Sequence, residues 1–209
     1  MQNSKGKIVS MAVVGLVTVM APVFAATTTG SRVHSAVTSA SATSSKATAD
    51  KSTLDHSDKK FVTDAAEGGM MEVELGKLAA EKGADSDVKA FGQRMVDDHT
   101  KANDKLKTIA ASKGVTLPTD LGPMDKHMRD KLQKASGAEF DRLYISHMVK
   151  DHEKDVKDFA HASKAAKDAD VKSFASDTLP TLQEHLKLAQ SAAEKIGAST
   201  KHTTSKKKS

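Results

Sequence analysis

Between Asp58 and Gly197 the apolar residues recur at steps of three and four, with charged and small polar residues between them. That spacing is the period of a helix with one buried face. Breaks in the pattern predict five helices. The first runs from about Asp58 to Lys82 and stops at Gly83, and the second starts at a Ser86 cap and ends at Gly114. The stretch "GVTLPTDLGP" leads to a short third helix, about Met124 to Lys134. The fourth opens on Ser136-Gly-Ala-Glu139, which has the form of a capping box, and reaches about Ala166. The fifth begins after Asp168 or Asp170 and finishes at Gly197; Pro180 inside it removes one backbone bond and is expected to kink it.

The connections give the architecture. Helices one and two are separated by only a few residues, as are four and five, so each pair should form an antiparallel hairpin. A much longer segment carrying the short helix joins the hairpins. The expected fold class is all-α, a ferritin-like four-helix bundle built from two antiparallel hairpins and a long crossover containing a short helix. An echo supports the pairing: "DVKAF" at Asp87–Phe91 and "DVKSF" at Asp170–Phe174 open the second helix of each hairpin. A third copy, "DVKDF" at Asp155–Phe159, falls deep in helix four and shows how readily such phrases recur.

The stripes are interrupted by four ionisable residues. Helix two reads Val88, Phe91, Met95, His99, Ala102, Leu106, Ile109. Helix four reads Ile145, Met148, His152, Val156, Phe159, and its "MVKDH" repeats the "MVDDH" that ends at His99. Helix five reads Val171, Phe174, Thr178, Leu182, His185, Ala189, Ala192, Ile196, and helix one Phe61, Ala65, Gly68, Glu72, Leu75, Ala79. Counted from the caps, each of the four lies about 20 to 25 Å along a helix of roughly 40 Å. Being near the midpoint, they meet at one level whichever way each helix points. Two readings follow. Glu72, His99, His152 and His185 could hold a single transition metal, zinc, iron or copper. Alternatively they form a hydrogen-bonded Glu-His network that fixes helix register, because a buried carboxylate without a partner is costly. Met95 and Met148, one turn before two of the histidines, are either copper-favouring thioethers or ordinary packing. Asp98 and Asp151 are either carboxylates that orient neighbouring imidazoles or surface charges. His147 with Asp151 is a surface pair or a weak extra site, Tyr144 is placed to donate a hydrogen bond into the centre, and Met70, Met71 and Glu74 face packing and solvent on the other side of helix one.

Composition narrows the chemistry. The chain has 209 residues, no cysteine and no tryptophan, so disulfides, thiolate metal sites and cysteine catalysis are excluded. There is no Gly-rich phosphate loop, no G-x-S-x-G and no H-E-x-x-H, which leaves hydrolase and nucleotide-binding activity without a foothold and no catalytic residue to name. Lys5 and Lys7, an apolar stretch from Ile8 to about Met20, and "APVFA" have the form of a secretory signal peptide cut after Ala25. Residues 26–56 are rich in Ser, Thr and Ala and read as a disordered spacer, residues 57–197 as the bundle, and residues 198–209 as a basic disordered tail. The two ends carry the excess of lysine while the body is nearly neutral. No specific nucleic acid is expected; the "KHTTSKKKS" tail could make weak contact with an anionic envelope surface, and any protein partner is unspecified.

The stretches "FVTDAAEGGMMEVELGKLAAEKG", "VKAFGQRMVDDHTKANDKL", "GVTLP", "SGAEFDRLYISHMVKDHEKDV" and "TLPTLQEHLKLA" resemble the bacterial secreted ferritin-like proteins of domain-of-unknown-function family 4142. The resemblance covers Phe61 to Gly197 and implies a ferritin-like bundle in the periplasm or outer envelope, with no established reaction. Ferritins hold two irons with Glu-x-x-His pairs. Here Val96, Val149 and Leu182 stand three residues before His99, His152 and His185, so the pattern supports a single-metal site and not a ferroxidase centre. The expected roles are an envelope metal-binding bundle in metal or oxidative stress, a non-catalytic structural or stress-interaction protein, or, third, an oxidase.

Overall fold

The computed structural model describes residues 52–198. The expected signal peptide, most of the Ser/Thr/Ala-rich spacer and the basic tail lie outside the described residues. Within them are five helices and no strand: α1 (His56–Lys82), α2 (Ser86–Ser112), α3 (Pro123–Lys134), α4 (Gly137–Ala165) and α5 (Ala169–Lys195). Helices α1 and α2 form one antiparallel hairpin and α4 and α5 the other. They close a four-helix bundle in which α1 faces α4 and α2 faces α5, while α3 lies against α1 and α4. None of these helices is long and apolar enough to cross a membrane.

Three of the long helices begin on an aspartate whose carboxylate accepts a backbone N–H of the first turn: Asp55 from Asp58, Asp85 from Asp87, and Asp168 from Asp170 and Val171. The cap of α2 is thus Asp85 and not the expected Ser86. Nor does the capping box at Ser136 form. Gly137 enters the helix at φ 57°, and with that left-handed turn the Ser136 side chain makes no cap bond. Helix α5 continues through Pro180. The amide that proline lacks would have bonded the carbonyl of exposed Ser176, which water can serve instead.

The two hairpins are internal equivalents, matched at one constant interval along the chain, that from Asp58 to Asp141. The interval pairs the caps Asp85 and Asp168, the core residues Val88 with Val171 and Phe91 with Phe174, and the left-handed glycines Gly114 and Gly197. Both glycines close the same C-terminal motif, Val115 N–H bonding the Ala110 carbonyl and Ala198 N–H that of Ala193. The equivalence also explains how the hairpins hold each other. Asp141, buried at the start of α4, accepts the N–H groups of Ala84 and Asp85 in the α1–α2 turn at 2.9 and 2.8 Å. Asp58, buried at the start of α1, accepts those of Lys167 and Asp168 in the α4–α5 turn at 2.9 and 2.7 Å. Lysines repeat the exchange on the surface: Lys113 pairs with Asp168 and Asp170, Lys195 with Asp85 and Asp87.

The core forms two clusters. One, around Met71, Leu75, Met95, Tyr144 and Met148, is roofed by α3, whose Leu132 is fully buried. Lys82 donates to the last carbonyls of α3 and Arg129 pairs with Glu74 of α1, so Glu74 serves to dock α3 and is not simply solvated. The other cluster gathers Val62, Leu106, Phe159, Phe174 and Leu182 at the opposite end. In that end the buried stripe of α1 is Val62, Ala66, Gly69, one residue on from the expected Phe61, Ala65, Gly68, which are only half-buried.

Candidate metal centre

Glu72, His99, His152 and His185, one from each long helix, are all buried and meet between the two core clusters. The imidazole centroids form a near-equilateral triangle: His99 to His185 5.3 Å, His152 to His185 5.4 Å, His99 to His152 5.8 Å. One ligating nitrogen from each ring lies within 4.8 Å of the other two. Phe91 stands over the triangle, 6.4 Å from both His152 and His185.

Each ring has one nitrogen engaged and one without a hydrogen-bond partner. His152 Nδ1 bonds the Met148 carbonyl at 3.0 Å. A carbonyl only accepts, so Nδ1 carries the proton and Nε2 keeps its lone pair. His185 Nε2 faces Asp98 Oδ2 at 3.0 Å, leaving Nδ1. Burial alone would raise the Asp98 carboxyl, but the bond to His185 together with the charges of His185, Arg94 and Lys101 holds it below the usual range, so it is ionised and accepts. His99 Nδ1 lies 2.7 Å from Glu72 Oε2, leaving Nε2. Met148 contributes its backbone to this arrangement, while Met95 and Met148 themselves are buried in the core cluster.

The electrostatics are those of a deeply buried site. Burial holds the imidazoles neutral, His99 and His185 down to about 4 and His152 to about 3, the other histidines lowering His152 further. Burial also pushes Glu72 well above the carboxylate range, reinforced by the charge of Asp155. Glu72 Oε1 has no hydrogen-bond partner and stands 3.3 Å from the bare Nε2 of His152. Two acceptors face each other there, so either a proton on Glu72 or a cation must lie between the groups. Asp151 forms a second grouping with Glu72 and His152, and burial, then the charges of Glu72 and Asp155, pushes it up to about 9.

Of the two sequence readings of Asp98, the structure selects the orienting carboxylate. Tyr144 departs from expectation: its ring packs on Phe91 and Phe140, and its buried hydroxyl has no protein hydrogen-bond partner. His147 and Asp151 are half-buried and each keeps an unpartnered polar atom, so they are no surface pair. Asp155, which the sequence reading noted only as the start of a recurring phrase and not as a functional residue, adds its charge to Glu72 and Asp151. Its spacing of three from His152 on one helix face was the available signal.

The internal equivalence breaks down at this level. The interval that pairs Asp58 with Asp141 sets Glu72 against Asp155, but His99 against Leu182, His152 against Gly69 and His185 against Ala102. One cluster replaces what a strict repeat would have made two.

The fold and its centre define a helical bundle with one buried histidine triangle. Residues 43–192 match the family described as "Domain of unknown function (DUF4142)", and the chain belongs to that family. No curated protein matches the sequence. Two solved structures share the fold. One is a DUF305 fragment from Deinococcus radiodurans, at TM-score 0.58 and 12% identity, covering 69% of this chain and 97% of that one. The other, from Streptomyces coelicolor, is a DUF305 protein described as a candidate secreted protein, at TM-score 0.58 and 13% identity, covering 68% of this chain and 94% of that one.

Proposed function

We propose that the protein binds a single transition-metal ion at the middle of its bundle, with His99, His152 and His185 as nitrogen donors and Glu72 as the anionic fourth group. The observation that carries the reading is the set of three buried imidazoles, each offering one nitrogen within 4.8 Å of the other two, and each with one ring nitrogen in a polar contact and the other unpartnered. An unsatisfied buried polar atom costs about 1 to 3 kcal/mol. One cation among the rings would relieve all three. Imidazoles held through the far nitrogen by a carboxylate or a carbonyl are what a transition-metal site requires of its surroundings. Three neutral imidazoles and one carboxylate suit zinc, copper or iron, and the absence of Glu-x-x-His pairs argues for one ion. The setting we propose is the cell envelope under metal or oxidative stress, supported by the signal-like leader and by the description of the Streptomyces neighbour.

The competing reading is a non-catalytic structural protein whose polar centre only fixes helix register, and the 2.7 Å Glu72–His99 contact favours it. Elemental analysis and zinc titration against a competing chelator separate the two. The metal reading requires about one ion per chain, lost in His99→Ala/His152→Ala and bound about 10 to 100 times more weakly in Asp98→Asn. Purified protein that neither carries nor takes up zinc, copper or iron refutes it.

A further inference from the structure

A cavity of about 470 Å³ enters the bundle between α1 and α4 and ends at Glu72 and His99. The internal repeat explains why it exists. At equivalent positions the second hairpin holds Met148, Asp151, His152 and His185, and the first, where it lines the cavity, holds Ala65, Gly68, Gly69 and Ala102. Four positions of the first hairpin thus carry smaller side chains than their counterparts in the second. Asn103 reclaims the space at Gly69, where its amide oxygen occupies the place of a Cβ. At Gly68 nothing reclaims it: a Cβ there would have no neighbour within 4 Å. A glycine inside a helix costs about 1 kcal/mol relative to alanine. Gly76 and Gly92 have a packing reason, since α1 and α2 touch through them, but Gly68 has none among the described residues.

We propose that this cavity is a binding site for a neutral aromatic alcohol of one or two rings. Its size is that of a small-molecule site. Its wall is aromatic, with Phe61 edge-on to Phe159 at 4.9 Å and Phe159 at 5.8 Å from Phe174, which favours a flat ring as guest. Among the residues lining it, the only buried polar atoms without partners belong to Glu72 and His99 at its inner end, and one hydroxyl can donate to either of these acceptors. The cations at the mouth are matched: Lys60 pairs with Asp64 and Lys154 with Asp158, so no spare cation there selects an anionic ligand. The proposal concerns the metal-free protein, in which the end groups Glu72 and His99 each keep an unpartnered atom.

The test uses 2-naphthol, read by its fluorescence, with EDTA-treated full-length protein. The chain has no tryptophan and one tyrosine, so its own emission does not interfere. The expected result is saturable binding of one naphthol per chain. Filling the cavity with Gly68→Leu, or with Ala65→Met, which installs the residue found at the equivalent position, should weaken it at least about tenfold, or 1.4 kcal/mol. Both substitutions favour helix, and circular dichroism verifies that the bundle persists. Naphthalene, lacking the hydroxyl, should bind clearly more weakly. Absence of saturable binding to the wild-type protein, unchanged affinity in both folded variants, or equal affinity for naphthalene overturns the proposal.

Discussion

Replacing Asp141 with alanine tests how the two hairpins are held at the level that brings the centre together. The carboxylate accepts two backbone N–H groups of the α1–α2 turn, at 2.9 and 2.8 Å, from a buried position on α4. Hydrogen bonds to a charged group contribute about 1.5 to 3 kcal/mol each. Ala84 is exposed and Asp85 half-exposed, so water reaches the orphaned amides and the low end applies. The loss should be about 3 to 4 kcal/mol, and at roughly 3 °C per kcal/mol for a chain of this size, Tm should fall by about 10 °C. Asp141→Asn keeps one acceptor oxygen and should lose about half as much. Asp58→Ala, the equivalent change, should match Asp141→Ala, and the double variant should be additive, because the two pins grip opposite ends of α1. Thermal unfolding followed by far-ultraviolet circular dichroism gives all four values. A Tm for Asp141→Ala within about 2 °C of wild type would refute the reasoning, since it would leave the two bonds without net energy.

Two further outcomes are expected. Asp85 is held below 3.8 by its bond from the Asp87 amide and by Lys195; Asp168 is held below it because Lys113 and the helix amides outweigh burial. A folded value beneath the unfolded one contributes stability that is complete above 3.8 and lost as pH falls through the folded value. Lys195→Met should therefore raise the Asp85 midpoint and leave Asp168 in place, as carboxyl NMR titration will show. Gly92→Ala should destabilise by about 1 to 3 kcal/mol, because its Cβ would stand 2.7 Å from Ala79 Cβ and 2.8 Å from Ala80 N. Gly68→Ala, in open space, should stabilise by up to about 1 kcal/mol, and urea unfolding of the pair measures the contrast.

The periodicity of the chain determined the five helices, their pairing into hairpins and the level of four ionisable residues, because helical rise and loop length are local quantities that need no knowledge of neighbours. It placed Glu72, His99, His152 and His185 on inward faces for the same reason. Which nitrogen of each ring stays bare was not legible, since that depends on a carbonyl one turn back for His152 and on Asp98 of another helix for His185. The same holds for Asp58 and Asp141, which appear in the sequence as ordinary acids near the starts of their helices and act as pins only once the other hairpin's turn is brought to them. The cavity likewise required the tertiary fold. Gly68 and Ala102 read as small residues on a buried stripe, and only the packing of α3 over one end and not the other turns their missing volume into space. What a helix buries is written in its own period; what it buries against is settled by chain as far as about a hundred residues away.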